Sequence, residues 1–278
     1  MKKSENGFSW KNSFRQARNA VYDIVFPPRC ILCDELMEQG QGQLHPACKG
    51  KLFPVSGAVC LHCGRPVIGE SYEFCYDCAR KERACQLPGK DTFFQGKSLF
   101  LYQGEIKQTM YRFKYSNKRE YASYFAKRAV EGYGEWLEKI DVDVVIPVPM
   151  YKRKERKRGY NQAAEFARAL AEAMEADRSA RQKKRNEREK SGKIPVYDSK
   201  AVLRIKNTRP MKELNDVERK NNLRNAFQVT ENIVKYKKVL LVDDIYTTGS
   251  TADAVSHELL AAGVDEVYFL SICIGKGV

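Results

Sequence analysis

Eight residues fall into four pairs whose types and spacing could hold metal: Cys30-x-x-Cys33, His45-x-x-Cys48, Cys60-x-x-Cys63 and Cys75-x-x-Cys78. A two-residue gap lets both members of a pair reach one tetrahedral ion, and two pairs supply the four ligands that close a structural Zn(II) site. Their order along the chain predicts one site from Cys30, Cys33, His45 and Cys48 and a second from Cys60, Cys63, Cys75 and Cys78. His45 is the less plain ligand: as a surface histidine beside Pro46 it would leave the first site incomplete. With every ligand supplied by protein, neither site keeps an open position for water. The metals are therefore expected to hold together about 60 residues that could not build a core alone. His62, between two proposed ligands, is read as facing solvent. Cys273 is read as a small buried hydrophobe, and Cys85 falls outside the pattern.

The second constellation is residues 239–251, Val-Leu-Leu-Val-Asp-Asp-Ile-Tyr-Thr-Thr-Gly-Ser-Thr. A buried strand would deliver Asp243 and Asp244 to its carboxyl end. The loop that follows, Ile245, Tyr246, Thr247, Thr248, Gly249, Ser250 and Thr251, then opens a helix. Backbone N–H groups of such a loop, with a helix N-terminus behind them, suit a phosphate monoester. Two adjacent carboxylates suit sugar hydroxyls, or Mg(II) held between hydroxyl and pyrophosphate oxygens, so the pair and the loop together describe a ribose 5-phosphate. No Gly-Lys-Ser/Thr follows Gly249 and the dinucleotide glycine triplet is absent, which excludes those two phosphate motifs. An ordinary strand-to-helix turn would explain one Asp but not the adjacent pair with four hydroxyl residues around a glycine.

A third stretch pairs cations with aromatics. Tyr151-Lys152-Arg153-Lys154-Glu155-Arg156-Lys157-Arg158-Gly159-Tyr160 places six basic residues and one acid between two tyrosines, and Tyr111, Lys114, Tyr115, Lys118 and Arg119 add to it. Single-stranded DNA binding needs phosphate attraction and ring stacking, which this composition offers. A solvated charge run is the alternative reading.

These residues require elements to place them. Residues 10–25 show apolar residues at helical spacing before Pro27-Pro28, an N-terminal amphipathic helix within residues 1–29. Residues 30–90, rich in cysteine, form the double zinc unit. From 91 to 278 strand patterns alternate with helix patterns: strands at 98–102, 143–149, 238–242 and 267–274, helices through Ile106, Met110 and Phe113, over 161–176 and over 250–262. That alternation predicts a parallel α/β sheet. Residues 177–200 read as a basic insertion, a solvated or frayed helix end with nucleic-acid contact as the alternative. The longest nearly apolar stretches, 144–151 and 267–274, are far shorter than the ~18 residues a membrane span needs, and no apolar secretory segment follows Met1-Lys2-Lys3. A cytoplasmic protein is expected, free or associated with the inner face of the membrane. The net charge of +14 is uneven. Residues 151–230 hold 23 Lys and Arg against 11 Asp and Glu, a net +12, while residues 231–278 hold 4 against 7, a net −3.

Residues 239–251 resemble the phosphoribosyl pyrophosphate (PRPP) loop of type I phosphoribosyltransferases. The resemblance implies that Asp243 and Asp244 meet the ribose hydroxyls and that Thr247 to Thr251 hold the 5-phosphate. It also implies a pyrophosphate loop at Pro147, Val148, Pro149 and Met150, and a flexible hood within residues 204–224. The wider pattern is double zinc ribbon, Pro-Val-Pro, Arg158-Gly-Tyr-Asn-Gln162, residues 219–227 and then the acidic loop. It resembles the ComF family, from about residue 30 to the C-terminus. Where relatives carry a Pro-Gln-x-Gly-Leu-Ser-like hood stretch, this chain has Pro210-Met-Lys-Glu-Leu-Asn215.

The family resemblance implies a phosphoribosyltransferase-like domain behind a small zinc-ribbon domain, PRPP or a related nucleotide as ligand with Mg(II), and a part in natural transformation beside competence-machinery proteins of helicase type. Arg158, Arg209, Arg219 and Arg224 are the candidates for meeting pyrophosphate. Six-oxopurine salvage enzymes place an aspartate general base where this chain has Thr247, which disfavours that substrate class and leaves no catalytic residue identified. The rival reading is a catalytically inactive zinc-ribbon protein that binds single-stranded DNA through Lys152, Arg153, Lys154, Arg156, Lys157 and Tyr160.

Overall fold

The structure, a computed structural model, describes residues 27–38, 42–69, 73–84, 92–184, 193–207, 223 and 225–276. The amphipathic helix expected at 10–25, Cys85, and Arg209, Arg219 and Arg224 lie outside the described residues. The chain divides into two compact units, Met1–Lys51 and Leu52–Val278.

In the first unit, a tight turn after Cys30 puts the Asp34 N–H on the Cys30 carbonyl at 2.9 Å, with Asp34 in the left-handed region (φ 62°). Arg29 and Leu36 bridge antiparallel across it. A short helix, α1 (Pro46–Lys49), has proline in its first turn, where a missing N–H costs nothing. Cys30, Ile31, Leu32, Met37 and Cys48 are buried.

The second unit opens with the same device. Gly64 N–H reaches the Cys60 carbonyl at 2.9 Å, Gly64 takes the left-handed conformation (φ 74°), and Val59 bridges Pro66. Here glycine is also required by contact, because a Cβ would stand 2.6 Å from the Gly96 carbonyl. Helix α2 (Tyr76–Ala84) starts directly after Cys75 and carries Cys78 in its first turn.

The α/β part runs β1 (Gln95–Leu101), α3 (Ile106–Tyr115), α4 (Tyr121–Ile140), β2 (Val144–Pro147), α5 (Lys152–Arg158), α6 (Gln162–Lys184), β3 (Val196–Tyr197), β4 (Val202–Arg204), β5 (Phe227–Val229), β6 (Lys238–Tyr246), α7 (Ser250–Ala261) and β7 (Glu266–Ile274). Five strands form one parallel sheet in the order β1-β7-β6-β2-β3, the parallel α/β class that the sequence predicts. β2, β6 and β7 are buried almost throughout, as continuous Val, Leu and Ile runs require when both faces are covered. β4 and β5 pair antiparallel, apart from that sheet, and the expected hood residues fall between them.

Two expected elements run longer than the sequence predicts. β6 runs four residues past Val242, to Tyr246. Its ladder with β7 continues through Asp243↔Ser271 to Tyr246↔Ile274, whereas β2 stops at Pro147↔Val242. The acidic pair therefore sits where β6 keeps one neighbour and has outrun the other. Helix α6 extends to Lys184, and its basic end is tied down: Arg178 reaches Asp141 at 3.4 Å, and Arg181 reaches Asp177 at 2.7 Å and Glu138 at 3.4 Å. Those two arginines are neutralised within the chain.

Candidate phosphate-loop site and zinc centres

The first cluster holds Cys30, Cys33, His45 and Cys48, and the second holds Cys60, Cys63, Cys75 and Cys78. Within each, all four ligand atoms lie within 4.8 Å of one another. Sulfurs on a tetrahedral zinc with bonds of about 2.3 Å would be about 3.8 Å apart. Cys63 and Cys75 Sγ are 3.7 Å apart, and Cys33 Sγ is 3.2 Å from His45 Nδ1. The donor sets thus fit zinc in both places. His45 turns its other nitrogen, Nε2, to the Leu36 carbonyl at 3.1 Å, the outer contact that fixes a ligating imidazole. Burial opposes ionisation of Cys30, but backbone N–H groups at Cys33, His45 and Leu32 outweigh it and bring the thiol down to about 7. In the second cluster the four thiols share hydrogen bonds, which drive Cys60 far below the usual thiol range and Cys63 and Cys78 far above it. A thiolate is the form a metal needs.

The second ribbon is packed into the α/β core. Cys60, Cys63, Cys75 and Cys78 share one buried cluster with Phe93, Tyr246, Ala252 and Phe269. His62 corrects the expectation of a solvent-facing ring: it is buried, and it stacks on Phe93 with centroids 4.3 Å apart and planes within 10°. Its backbone carbonyl takes the Gly96 N–H at 2.6 Å, which brings the knuckle onto β1.

At the carboxyl end of the sheet, Asp243 Oδ1 accepts the Asp244 N–H at 2.8 Å. Asp244 Oδ2 is paired with Lys114 Nζ at 2.9 Å. Burial and then the neighbouring Asp244 charge push Asp243 up to about 7, against the pull of the Asp244 N–H, Lys114 and Arg204. Burial opposes the charge of Lys114, yet Asp244 and Asp243 outweigh it and raise its pKa. Lys114 is thus committed to the carboxylates rather than displayed for DNA, which corrects its reading as part of the aromatic-cation surface. Arg204, half-buried in β4, lies over the Phe227 ring at 5.4 Å and close enough to Asp243 to stabilise its anion.

A second loop, residues 147–150, neighbours the acidic pair. Val148 N–H bonds the Val242 carbonyl at 2.8 Å, setting residues 147–150 beside Asp243. Val148 and Pro149 are buried. Asn161 links this loop to α6: its Nδ2 donates to the Val148 carbonyl at 3.0 Å, and its Oδ1 caps the helix through the Ala163 N–H at 3.1 Å. Arg158 donates to Gln162 Oε1 at 2.6 Å and covers the Tyr115 ring at 4.9 Å, near enough to Lys114 to oppose its charge.

The Thr-Gly turn has a strict requirement. Gly249 has φ 78°, and a Cβ there would run into the Tyr246 hydroxyl and stand 2.8 Å from its Cζ. Thr248 Oγ1 and Ser250 Oγ are 3.0 Å apart at the mouth of α7. Gly249→Ala is expected to cost about 2 kcal/mol or more, from left-handed strain plus the clash, measured as a lower urea midpoint; an unchanged midpoint would show the close approach to be absent.

Of the proposed DNA contacts, Lys152, Arg153, Lys154, Arg156 and Lys157 lie exposed on α5. Tyr160 does not join them. It is 4% exposed, its hydroxyl donates to the Phe113 carbonyl, and Arg119 covers its ring at 4.6 Å, so no base can stack there. Exposed rings do occur nearby: Tyr111 and Tyr115 lie 4.9 Å apart.

Two cysteine clusters in ribbon turns, ahead of a parallel α/β domain, define a double-zinc-ribbon α/β protein. A family model described as "Double zinc ribbon domain" matches residues 21–79. The chain is 25% identical over 264 residues to "Competence protein ComFC" of Bacillus subtilis, covering 89% of this chain and 93% of that protein. It is 24% identical over 259 residues to "DNA utilization protein YhgH" of Escherichia coli K12, covering 90% and 98%. It is 34% identical over 127 residues to "Competence protein F" of Haemophilus influenzae, but that match spans 45% of this chain and about half (47%) of that protein. Over about nine tenths of its length the chain is thus similar to proteins named for competence and DNA utilization. Among the described residues, no helix is long and apolar enough to cross a membrane.

Proposed function

We propose that this ComF-like protein binds PRPP, or a nucleotide built on the same phosphorylated ribose, together with Mg(II), and acts in the handling of incoming DNA during natural transformation. One observation carries the ligand reading: the Asp243–Asp244 pair stands at the open carboxyl end of β6, between the 147–150 loop and the Thr-Gly turn that opens α7. Ligands of open α/β sheets bind at such ends. The names of the relatives, which speak of competence and DNA utilization, support the process.

The chain's residues would divide the work. Asp243 and Asp244 accept hydrogen bonds from the ribose hydroxyls, and residues 247–251 face the 5-phosphate with N–H and hydroxyl donors. Mg(II), when bound, would neutralise pyrophosphate oxygens. Lys114, Arg158 and Arg204 add cations around the same carboxylates. Thr247 offers no general base, so ligand binding without turnover stays within the proposal. Equilibrium dialysis against PRPP with and without Mg(II) tests it. Metal-dependent retention supports it, and no retention removes it.

The exposed cations of α5 support single-stranded DNA as a second partner. Affinity for an oligothymidylate is expected to fall at least about tenfold between 50 and 200 mM salt, read by fluorescence anisotropy. Absence of binding at the lower salt would contradict this.

A further inference from the structure

We propose that Arg65, in the second ribbon, is the positioning residue of the Thr-Gly loop, holding the Thr247 carbonyl so that the following N–H faces the ligand. This rests on the phosphate reading of that loop. Arg65 is 4% exposed. Its Nη1 donates to Asp77 Oδ2 at 2.5 Å, its Nη2 donates to the Thr247 carbonyl, and its Cζ lies 6.0 Å from the centroid of the Tyr246 ring.

Both ends of this brace are placed by cysteine pairs. Arg65 follows Cys63 by two residues, and Asp77 lies between Cys75 and Cys78. The guanidinium's position is therefore set by the ribbon rather than by the loop it touches. In a trans peptide the C=O and N–H point in opposite directions. With the Thr247 carbonyl turned to Arg65, the Thr248 N–H is turned away from the ribbon. The loop cannot easily relax around the contact, because Tyr246 and Gly249 are pressed together at the same point. The second ribbon thus does more than cap the core: it orients a donor.

Arginine is required because one planar fork spans a carboxylate and a carbonyl at once. Lysine keeps the charge but donates from a single nitrogen. The test uses the zinc-loaded full chain with Arg65→Gln and Arg65→Lys, measuring zinc content, amide hydrogen exchange, and PRPP affinity with Mg(II). Both variants are expected to keep two zinc ions and to exchange the 248–250 amides at least about tenfold faster, with β7 amides unchanged. PRPP affinity should fall about tenfold in both, the loss of one charge-assisted hydrogen bond. Wild-type exchange at 248–250 in Arg65→Gln, full rescue by lysine, or loss of zinc from both variants would overturn the assignment. If the wild-type chain takes up no PRPP, the phosphate reading fails, and the exchange result still decides whether Arg65 holds the loop.

Discussion

Replacing Cys75 by serine is expected to remove one of two zinc ions and to lower the melting temperature of the Leu52–Val278 unit by more than about 10 °C. The reason is where its sulfur sits. Cys60, Cys63, Cys75 and Cys78 share a core with Phe93, Tyr246 and Phe269, so the metal ties the ribbon and sheet packing together. Structural zinc contributes on the order of 10 kcal/mol to folding where no preformed site survives unfolding. The control is Cys48→Ser. It also removes one zinc, but its cluster belongs to the Met1–Lys51 unit, and the main transition should move by less than about 3 °C. Calorimetry with zinc analysis on both variants checks this. Equal shifts in the two would contradict the unequal roles assigned to the ribbons.

The Asp243→Asn, Asp244→Asn double variant is expected to lose PRPP binding by at least about 100-fold, because it removes two charged acceptors, each good for about 1.5 to 3 kcal/mol. Stability should move the other way for Asp243 alone. Its native carboxyl is pushed up to about 7 by burial and by Asp244, while the unfolded chain titrates near 3.9. The native state therefore holds the proton longer, and stability falls as pH rises from about 4 to 7, then levels off. At pH 8 the buried carboxylate is a net cost, so Asp243→Asn should raise the unfolding free energy by roughly 1 kcal/mol in the absence of PRPP. Below pH 4 the gain should vanish. Weaker binding beside stronger folding is the trade expected where a buried charge is kept for function. Urea unfolding at pH 4 and pH 8 measures the sign, and a destabilised variant at pH 8 would contradict it.

Much of this was legible in the sequence because it is local. A Cys-x-x-Cys turn, a Val-Leu-Leu-Val strand and a hydroxyl-rich turn before a helix each announce themselves within a dozen residues. What the sequence hid is what spans the chain. Lys114 meets Asp244, and Arg65 meets Thr247 across 182 positions. No periodicity encodes such pairs. Tyr160 looked like a stacking platform by its charged neighbours, but its hydroxyl finds the Phe113 carbonyl and its ring goes inside. Helix α4 was hidden by its own composition: Gly132 and Gly134 flank Tyr133, where the backbone leaves helical geometry (φ −130°, ψ 18°). Two glycines so close weaken a helical signal. His62 offered a hint in hindsight, since a ring between two metal ligands is held near the core with them.

Asp243 and Asp244 are the residues on which ligand binding depends most. Isothermal titration of PRPP into the zinc-loaded protein in the presence of Mg(II), beside the same titration of the Asp243→Asn, Asp244→Asn variant, tests that dependence most directly. Saturable heat with one site per chain in the wild type and none in the variant is the predicted result. No heat from the wild type, or equal heat from both, would contradict it.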